Sequence, residues 1–279
     1  MRKTALLVTA LAIALAGMMH AGPANAQRGF VSGGGSDSNP CTVASPCPSF
    51  QQAFNTVTAV TTSGGEIDVL DPAGYGPLTI THGISIQGHG FGGITQATSG
   101  PGTNAITINA GTSDAITLNG LLIDGADTGS TGIIVEAAGS VQILNCVIRH
   151  FAIQGINYVS SSPATLLVSD TIVSDNSGAG VFIGSQTNGV TLSGIWANNN
   201  YYGVYVDAGP VLITNSVLSN SVTGLTTNSG ATWLAKTVVS GNGTGVNVAG
   251  GATVNSYGNN AINGNTTGVS GSLTPASTR

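Results

Sequence analysis

The feature of this sequence that most constrains its fold is an element of the form Gly-apolar-x-apolar, which returns every 21–25 residues. A second apolar-x-apolar element, such as residues 141–144, lies between consecutive glycines, and a third short apolar step follows it. Each repeat therefore predicts two or three strands of about 3–5 residues with alternating inward and outward side chains. A period of this length is typical of a solenoid. The repeat glycines are Gly132, Gly155, Gly180, Gly203, Gly224, Gly245 and Gly268, and the third step falls at Val147, Ile172, Trp196, Val217 and Val238.

The residue types within the repeat distinguish between solenoid classes. A leucine-rich horseshoe requires a leucine-dominated consensus, whereas this chain uses Val, Ile and Gly. A parallel β-helix fits better, with one coil per repeat and coils stacked at about 4.8 Å. Asparagine supports it, because Asn200, Asn242 and Asn265 fall at equivalent turns, one place after the turn positions of Asn199 and Asn220. Stacked Asn side chains hydrogen-bond along such an axis.

The composition excludes several classes of protein. Only 6% of the residues are charged and the net charge is −5. Coiled coils need the Glu, Lys and Arg that this chain lacks. Nucleic-acid binding needs Lys and Arg for phosphate contacts, so we expect no nucleic-acid partner.

The N-terminal segment has the pattern of a secretory signal peptide. Arg2 and Lys3 precede an apolar run over residues 5–16, and Ala24-Asn25-Ala26 is a small-x-small cleavage site. The run is shorter than the roughly 20 residues that a transmembrane helix needs, and no later run is long enough. The sequence therefore predicts cleavage after Ala26, a secreted or periplasmic protein, and no membrane span.

The segment after the signal peptide predicts a cap on the solenoid. Export permits disulfides, and Cys41 and Cys47 lie six positions apart in a proline-containing loop, so we expect them to be bridged and Cys146 to be free and buried. Residues 49–60 carry apolar side chains on one helical face, at Phe50, Ala53, Phe54 and Val57. The predicted organisation is a signal peptide over 1–26, a cap with a disulfide loop and helix over 27–63, a parallel β-helix over 64–271, and a tail over 272–279.

The repeats resemble those of a known family. The pattern Gly-Ile-x-Ile followed by apolar-x-Ile-x-Asn-x-Val is similar to right-handed parallel β-helix repeats of the pectin-lyase-like superfamily, and the likeness covers residues 104–271. Residues 28–90 resemble the N-terminal part of small exported bacterial β-helix proteins. The resemblance implies an all-β, right-handed parallel β-helix with a short N-terminal capping helix. It is specific for the fold and not for the chemistry.

The resemblance also implies where chemistry should be sought. Enzymes of this superfamily are mostly polysaccharide lyases, which use Ca²⁺-binding carboxylates and a base, and hydrolases, which use paired carboxylates. Aligned coils place Asp124 over Arg149, and His150 over Asp175. These four are the candidate catalytic residues, with Asp127 nearby as a further acidic ligand. The alternative is a surface ion pair between Asp124 and Arg149.

A second candidate is a binding surface made of aromatic residues. Phe182 and Tyr205 occupy outward positions one coil apart, and Tyr201 and Tyr202 lie just before Gly203. Trp233 is outward on the second strand of its repeat. Exposed aromatic residues can stack on sugar rings or mark a protein contact. A surface with few charges also exposes some apolar residues singly.

Two functions follow from these observations. The first is an exported, non-catalytic β-helix with a structural role or a role in binding carbohydrate or a cell-surface component, without a cofactor. The second is a polysaccharide lyase or glycoside hydrolase acting on an acidic polysaccharide, for which Ca²⁺ is the implied cofactor. The scarcity of carboxylates and bases favours the first, because only Asp207, Lys236 and Arg279 are charged after Asn176.

Overall fold

A computed structural model describes residues 27–60 and 64–277. The predicted signal peptide, residues 1–26, lies outside the described residues. The described chain winds into a right-handed parallel β-solenoid of about eight turns, with one short helix near the N-terminus. The predicted fold class is confirmed. Nearly all inter-strand pairing is parallel and joins equivalent residues of successive coils, as the repeat spacing requires.

One face of the solenoid is a nine-stranded sheet built from the Gly-apolar-x-apolar elements. The residue after each glycine points inward and the next points outward, so Val204 is fully buried whereas Tyr205 is half-buried. The strands are Leu78–Ile80, Asn104–Asn109, Thr131–Ala137, Gln154–Tyr158, Ala179–Ile183, Tyr202–Val206, Thr223–Thr227, Thr244–Val248 and Thr267–Ser270.

The remaining strands form one 18-stranded sheet that bends into two ladders. The first ladder contains Gln27–Val31, Gly65–Val69, the first halves of Ile84–Thr95 and Ala115–Asp124, and Ser140–Leu144, Thr165–Ser169, Gly189–Ser193, Val211–Thr214, Ala231–Ala235, Thr253–Ser256 and Leu273–Pro275. The second ladder contains Ala73–Gly74, the second halves of the two long strands, and Val147–Arg149, Ile172–Ser174, Trp196–Asn198, Val217–Ser219, Val238–Ser240 and Ala261–Ile262. The two ladders and the nine-stranded sheet enclose one continuous apolar core.

The turn between the second ladder and the nine-stranded sheet contains the predicted asparagine ladder. The side-chain amide of Asn176 donates to the side-chain oxygen of Asn200 at 2.9 Å, and Asn242 donates to Asn265 at 2.9 Å. Ser221 interrupts the row between them, with its backbone N–H donating to Asn242 Oδ1 at 2.9 Å. These buried amides satisfy backbone groups that the turn would otherwise leave unpaired.

The N-terminal end of the core is closed by the helix Phe50–Thr58. The Ser49 hydroxyl caps it by accepting from the Gln52 N–H, and the predicted apolar face, Phe50, Ala53, Phe54 and Val57, is buried. The predicted Cys41–Cys47 disulfide is present, and Cys146 is free and buried. Since Gln27–Val31 pairs with Gly65–Val69, strand stacking already begins within the segment assigned to the cap. At the other end, Leu273–Pro275 pairs with Val254, Asn255 and Ser256, so the assigned tail contributes a strand.

Candidate functional site

The predicted charged cluster assembles at the end of the second ladder. Arg149 and Asp124 are register partners in adjacent coils, and the Arg149 Nε lies 2.9 Å from Asp124 Oδ2. The His150 Nδ1 lies 3.2 Å from both oxygens of the same carboxylate. His150 reaches it because its backbone has φ 60°, which turns the chain sharply after the strand.

The Asp124 carboxylate is already occupied by protein groups. Its Oδ1 accepts from the Ala126 N–H at 2.9 Å, in addition to the Arg149 and His150 contacts. Burial raises the pKa of Asp124, but the bonds from Ala126, His150 and Arg149 outweigh it, so that the pKa lies below its usual value. This carboxylate is therefore ionised at neutral pH, and its acceptor sites are directed at groups of the same chain.

Asp175 lies one coil beyond His150, two coils from Asp124, and its hydrogen bond is to a different residue. Its Oδ1 accepts from the Asn199 side chain at 2.6 Å. Burial raises its pKa, while bonds from Asn199 and Ser174 and the charges of His150 and Arg149 lower it to a value below the usual one. An open depression of about 400 Å³ joins the predicted residues His150, Asp175 and Asp127; its other lining residues are Asn176, Ser177 and Asn199. Within residues 27–60 and 64–277, no group of three or more His, Cys, Asp or Glu is arranged to hold a metal ion.

Four of the five predicted aromatic residues form a continuous surface on the nine-stranded sheet. We call this surface the aromatic platform: Phe182, Tyr201, Tyr202 and Tyr205. Phe182 and Tyr205 are register partners whose rings stack with centroids 5.5 Å apart. The Tyr202 ring meets Tyr205 edge-on at 4.9 Å, and Tyr201 meets Tyr202 edge-on at 4.7 Å. The predicted adjacency of Phe182 and Tyr205 is confirmed.

The residues around the aromatic platform determine the position of the Phe182 ring and the charge next to the platform. A Cβ on Gly184 would lie 2.2 Å from the Phe182 ring, so a larger residue there would displace the ring from its present position. Burial, with a contribution from Asp207, raises the pKa of Tyr205. The neighbouring residues in the same row, Asn157 and the buried Thr226, are uncharged. Trp233 lies on the other sheet, where its register partners are Leu212 and Asn255, so the structure does not bring it to the platform.

Comparison with known proteins agrees with this architecture. The family model for the right handed beta helix region matches residues 55–195, slightly more than half of the chain. The chain belongs to the right-handed β-helix family. Comparison with the curated proteins finds no similar sequence. Among solved structures, this β-helix is similar to the crystal structure of pectate lyase Pel9A, with a TM-score of 0.62 and 15% identity over 86% of this chain and 71% of that chain. A rhamnogalacturonan lyase matches with a TM-score of 0.44 and 12% identity over 79% and 75% of the two chains. The likeness to Pel9A shows the fold alone.

The β-helix also exposes residues that sequence reasoning did not assign to a surface. The third apolar step points outward in every coil, while the residue after each one is buried, as for Trp196, which is 55% exposed, and Ala197, which is fully buried. We call the outward row the apolar stripe: Leu122, Val147, Ile172, Trp196, Val217 and Val238. A strand of three residues is too short to show an alternation of buried and exposed side chains in the sequence. The one sequence signal for this surface is Trp196, a large aromatic residue among aliphatic ones.

A second charged group was also missed, near the N-terminal cap. The Arg28 guanidinium pairs with Glu66 and lies 3.2 Å from Asp68, and His89 lies 3.3 Å from Asp68. The pairing of Gln27–Val31 with Gly65–Val69, which brings these residues together, was not predicted.

Proposed function

We propose that the protein is an exported, non-catalytic β-helix that binds an uncharged polysaccharide through its aromatic platform. The observation that carries this proposal is the stacking of Phe182 and Tyr205 on adjacent coils, extended by Tyr202 and Tyr201. The parallel sheet holds the Phe182 and Tyr205 rings one coil apart along the solenoid axis, where the strand spacing is about 4.8 Å, and Tyr201 and Tyr202 belong to the coil of Tyr205. Tyrosine offers an apolar face and a polar hydroxyl with few rotatable bonds, which suits the C–H faces and hydroxyl groups of sugar rings.

The charge of the molecule favours an uncharged ligand. The cations of the described residues are Arg28, Arg149 and Lys236, and none belongs to the platform. Asp207 is close enough to contribute to the raised pKa of Tyr205. Acidic polysaccharides would meet a net negative protein without a cation at the binding surface, which disfavours their approach.

The charged cluster supports a non-catalytic role. A hydrolase needs two carboxylates that face the substrate, one of them protonated. Asp124 is instead directed at Arg149, His150 and the Ala126 N–H, and both Asp124 and Asp175 have lowered pKa values. A base must also be free to take a proton from substrate. His150 and Arg149 are both engaged by Asp124.

Export is supported by the signal-peptide pattern of residues 1–26 and by the Cys41–Cys47 disulfide. Disulfides persist in oxidising compartments and are rare in the cytosol. Among residues 27–60 and 64–277, no helix is long and apolar enough to cross a membrane.

Affinity electrophoresis through gels that contain neutral or acidic polysaccharides tests the proposal. We expect retardation by at least one neutral polysaccharide, and we expect Tyr201→Ala combined with Tyr205→Ala to abolish it. Trp233→Ala is the matched control on the other sheet and should leave retardation unchanged. Loss of binding in the control alone would move the site to Trp233. Release of reducing or unsaturated ends from an acidic polysaccharide, with or without Ca²⁺, would support the lyase or hydrolase alternative instead.

A further inference from the structure

The apolar stripe is an unpaired face that the aromatic platform does not use. It runs over six coils of the second ladder, with one outward apolar side chain per coil. Leu122, Ile172, Trp196 and Val238 expose 41%, 38%, 55% and 39% of their surfaces. Contiguous apolar surface of this kind marks an interaction site, whereas singly exposed apolar residues do not.

One edge of the stripe carries two opposite charges. Asp170 and Lys236 occupy the same corner position in coils that lie three apart, with Gly194 and Asn215 between them. Neither side chain makes an ion pair within the part of the chain that the structure describes. The Asp170 side chain covers Gly194: its Oδ1 lies 2.5 Å from the position that a Cβ would take on that glycine. Asp170 also lines a depression of about 270 Å³ together with Ile172 and Trp196.

We propose that the apolar stripe binds a second copy of this chain in an antiparallel, two-fold symmetric dimer. A two-fold axis along the strand direction, passing between the coils of Gly194 and Asn215, reverses the order of coils and keeps each row opposite itself. Asp170 of each copy then faces Lys236 of the other, which forms two equivalent ion pairs. The same operation places Trp196 opposite Val217.

The charge pattern selects a second copy over an unrelated partner. Lys236 is the only cationic residue in 177–277. It lies in the same row as Asp170, three coils away. A two-fold axis midway between them therefore places Asp170 of each copy opposite Lys236 of the other. The same axis places Ile172, in the coil of Asp170, opposite Val238, in the coil of Lys236. Apolar residues therefore meet apolar residues where the charges meet their opposites.

The size of the stripe sets the strength of the contact. The proposed axis places Ile172, Trp196, Val217 and Val238 of one copy opposite the same four residues of the other. Four coils span about 14 Å along the solenoid axis, and a three-residue strand is about 10 Å wide. The area buried by this contact is below the roughly 800 Å² per partner of a standard-size stable interface. We therefore expect a dimer that forms with increasing protein concentration and weakens with increasing salt.

Sedimentation velocity of the chain from residue 27 onward, from about 1 μM to about 1 mM, tests the proposal over the range of affinities expected for a small interface. We expect a concentration-dependent shift from monomer to dimer. Trp196→Asp should leave only monomer, whereas Leu212→Asp, an outward apolar residue on the first ladder, should dimerise like the unchanged chain. Thermal unfolding of both variants verifies that they fold. A monomer at every concentration, or equal loss in both variants, would overturn the proposal.

A charge exchange tests the two-fold register. Asp170→Lys alone and Lys236→Asp alone place like charges opposite each other at two symmetric contacts, and each should raise the dimer dissociation constant about tenfold or more. The double exchange should restore it to within about threefold of the original value. The backbone tolerates both changes, because Asp170 and Lys236 already adopt the same left-handed conformation, with φ 50° and 48°. Single exchanges without effect, or a double exchange that does not restore dimerisation, would contradict this register.

Discussion

The side-chain nitrogen of Asn200 lies 2.8 Å from the position that a Cβ would take on Gly180, in the coil before it. The same relationship joins Gly155 to Asn176 at 3.0 Å and Gly245 to Asn265 at 2.7 Å. The glycine of each of these repeats therefore packs directly against the asparagine of the next repeat. The Asn200 side chain satisfies backbone groups of the preceding coil, because its Oδ1 accepts from the Asn176 N–H and its amide donates to the Val173 carbonyl oxygen. It fits there because the glycine below it has no side chain.

Replacing Gly180 by alanine should destabilise the protein. The added methyl group would lie 2.8 Å from both the Asn200 amide and the Gly203 carbonyl oxygen. Overpacking of this kind costs about 1–3 kcal/mol. Urea unfolding of Gly180→Ala measures the change. Gly268→Ala is the matched control, since no atom lies within 4 Å of its Cβ position, and its effect should stay within about 0.5 kcal/mol. Equal effects at the two sites would show that the repeat needs glycine for another reason.

Much of the fold could be predicted because stacked coils convert sequence spacing directly into contact. Parallel strands in register place each residue against its counterpart one repeat away. The pairs Asp124–Arg149 and Phe182–Tyr205 follow from this rule, and the structure has both. The capping helix was equally readable, since its buried face has the helical period.

Two features could not be predicted: which residue of each short strand points inward, and which groups the turns direct at Asp124. The second ladder has pairs of consecutive apolar residues, such as Val217 and Leu218, and sequence alone does not show that the second of each pair is buried. The hydrogen bond from the Ala126 N–H to the Asp124 carboxylate depends on a loop in which Ala126 has φ 50°. That loop geometry directs an N–H at the carboxylate and turns a candidate catalytic residue into one bound by its own chain.

The thiol of Cys146 should be unreactive in the folded protein. Its side chain is 1% exposed, and burial raises its pKa to about 11. The nucleophilic thiolate is therefore both scarce and shielded at neutral pH. Titration with a thiol reagent, without reductant, should detect no thiol in the native protein from residue 27 onward and one after denaturation. Rapid labelling of the native protein would contradict the burial, and three thiols after denaturation would contradict the Cys41–Cys47 bridge.

Stability should decrease at acid pH in a way that depends on Asp124. Its pKa is lower in the folded protein than in the unfolded chain, where aspartate titrates near 3.9. The unfolded state therefore binds more protons in this range, so the contribution is complete above about pH 4 and is lost as the pH falls through the folded-state pKa. Urea unfolding between about pH 6 and pH 2 covers this window. Asp124→Asn should flatten the pH dependence. Asp37→Asn, at an exposed residue whose side chain has no described partner, should retain it; identical curves for the two variants would argue against the prediction.

The last described coil should open before the rest of the solenoid. After Val254, which is fully buried, no residue up to 277 is buried, and the core-facing Ile262 and Val269 are only partly covered. In a stacked repeat, a weakly buried terminal coil opens without unfolding its neighbours. Amide hydrogen exchange should therefore be fastest from Tyr257 onward and slowest between residues 165 and 250. Ile262→Ala should leave the main unfolding transition nearly unchanged, whereas Leu218→Ala, at a fully buried position of the same ladder, should lower the unfolding free energy by about 2–5 kcal/mol. Equal losses from both variants, with uniform exchange along the chain, would mean that the last coil unfolds together with the core.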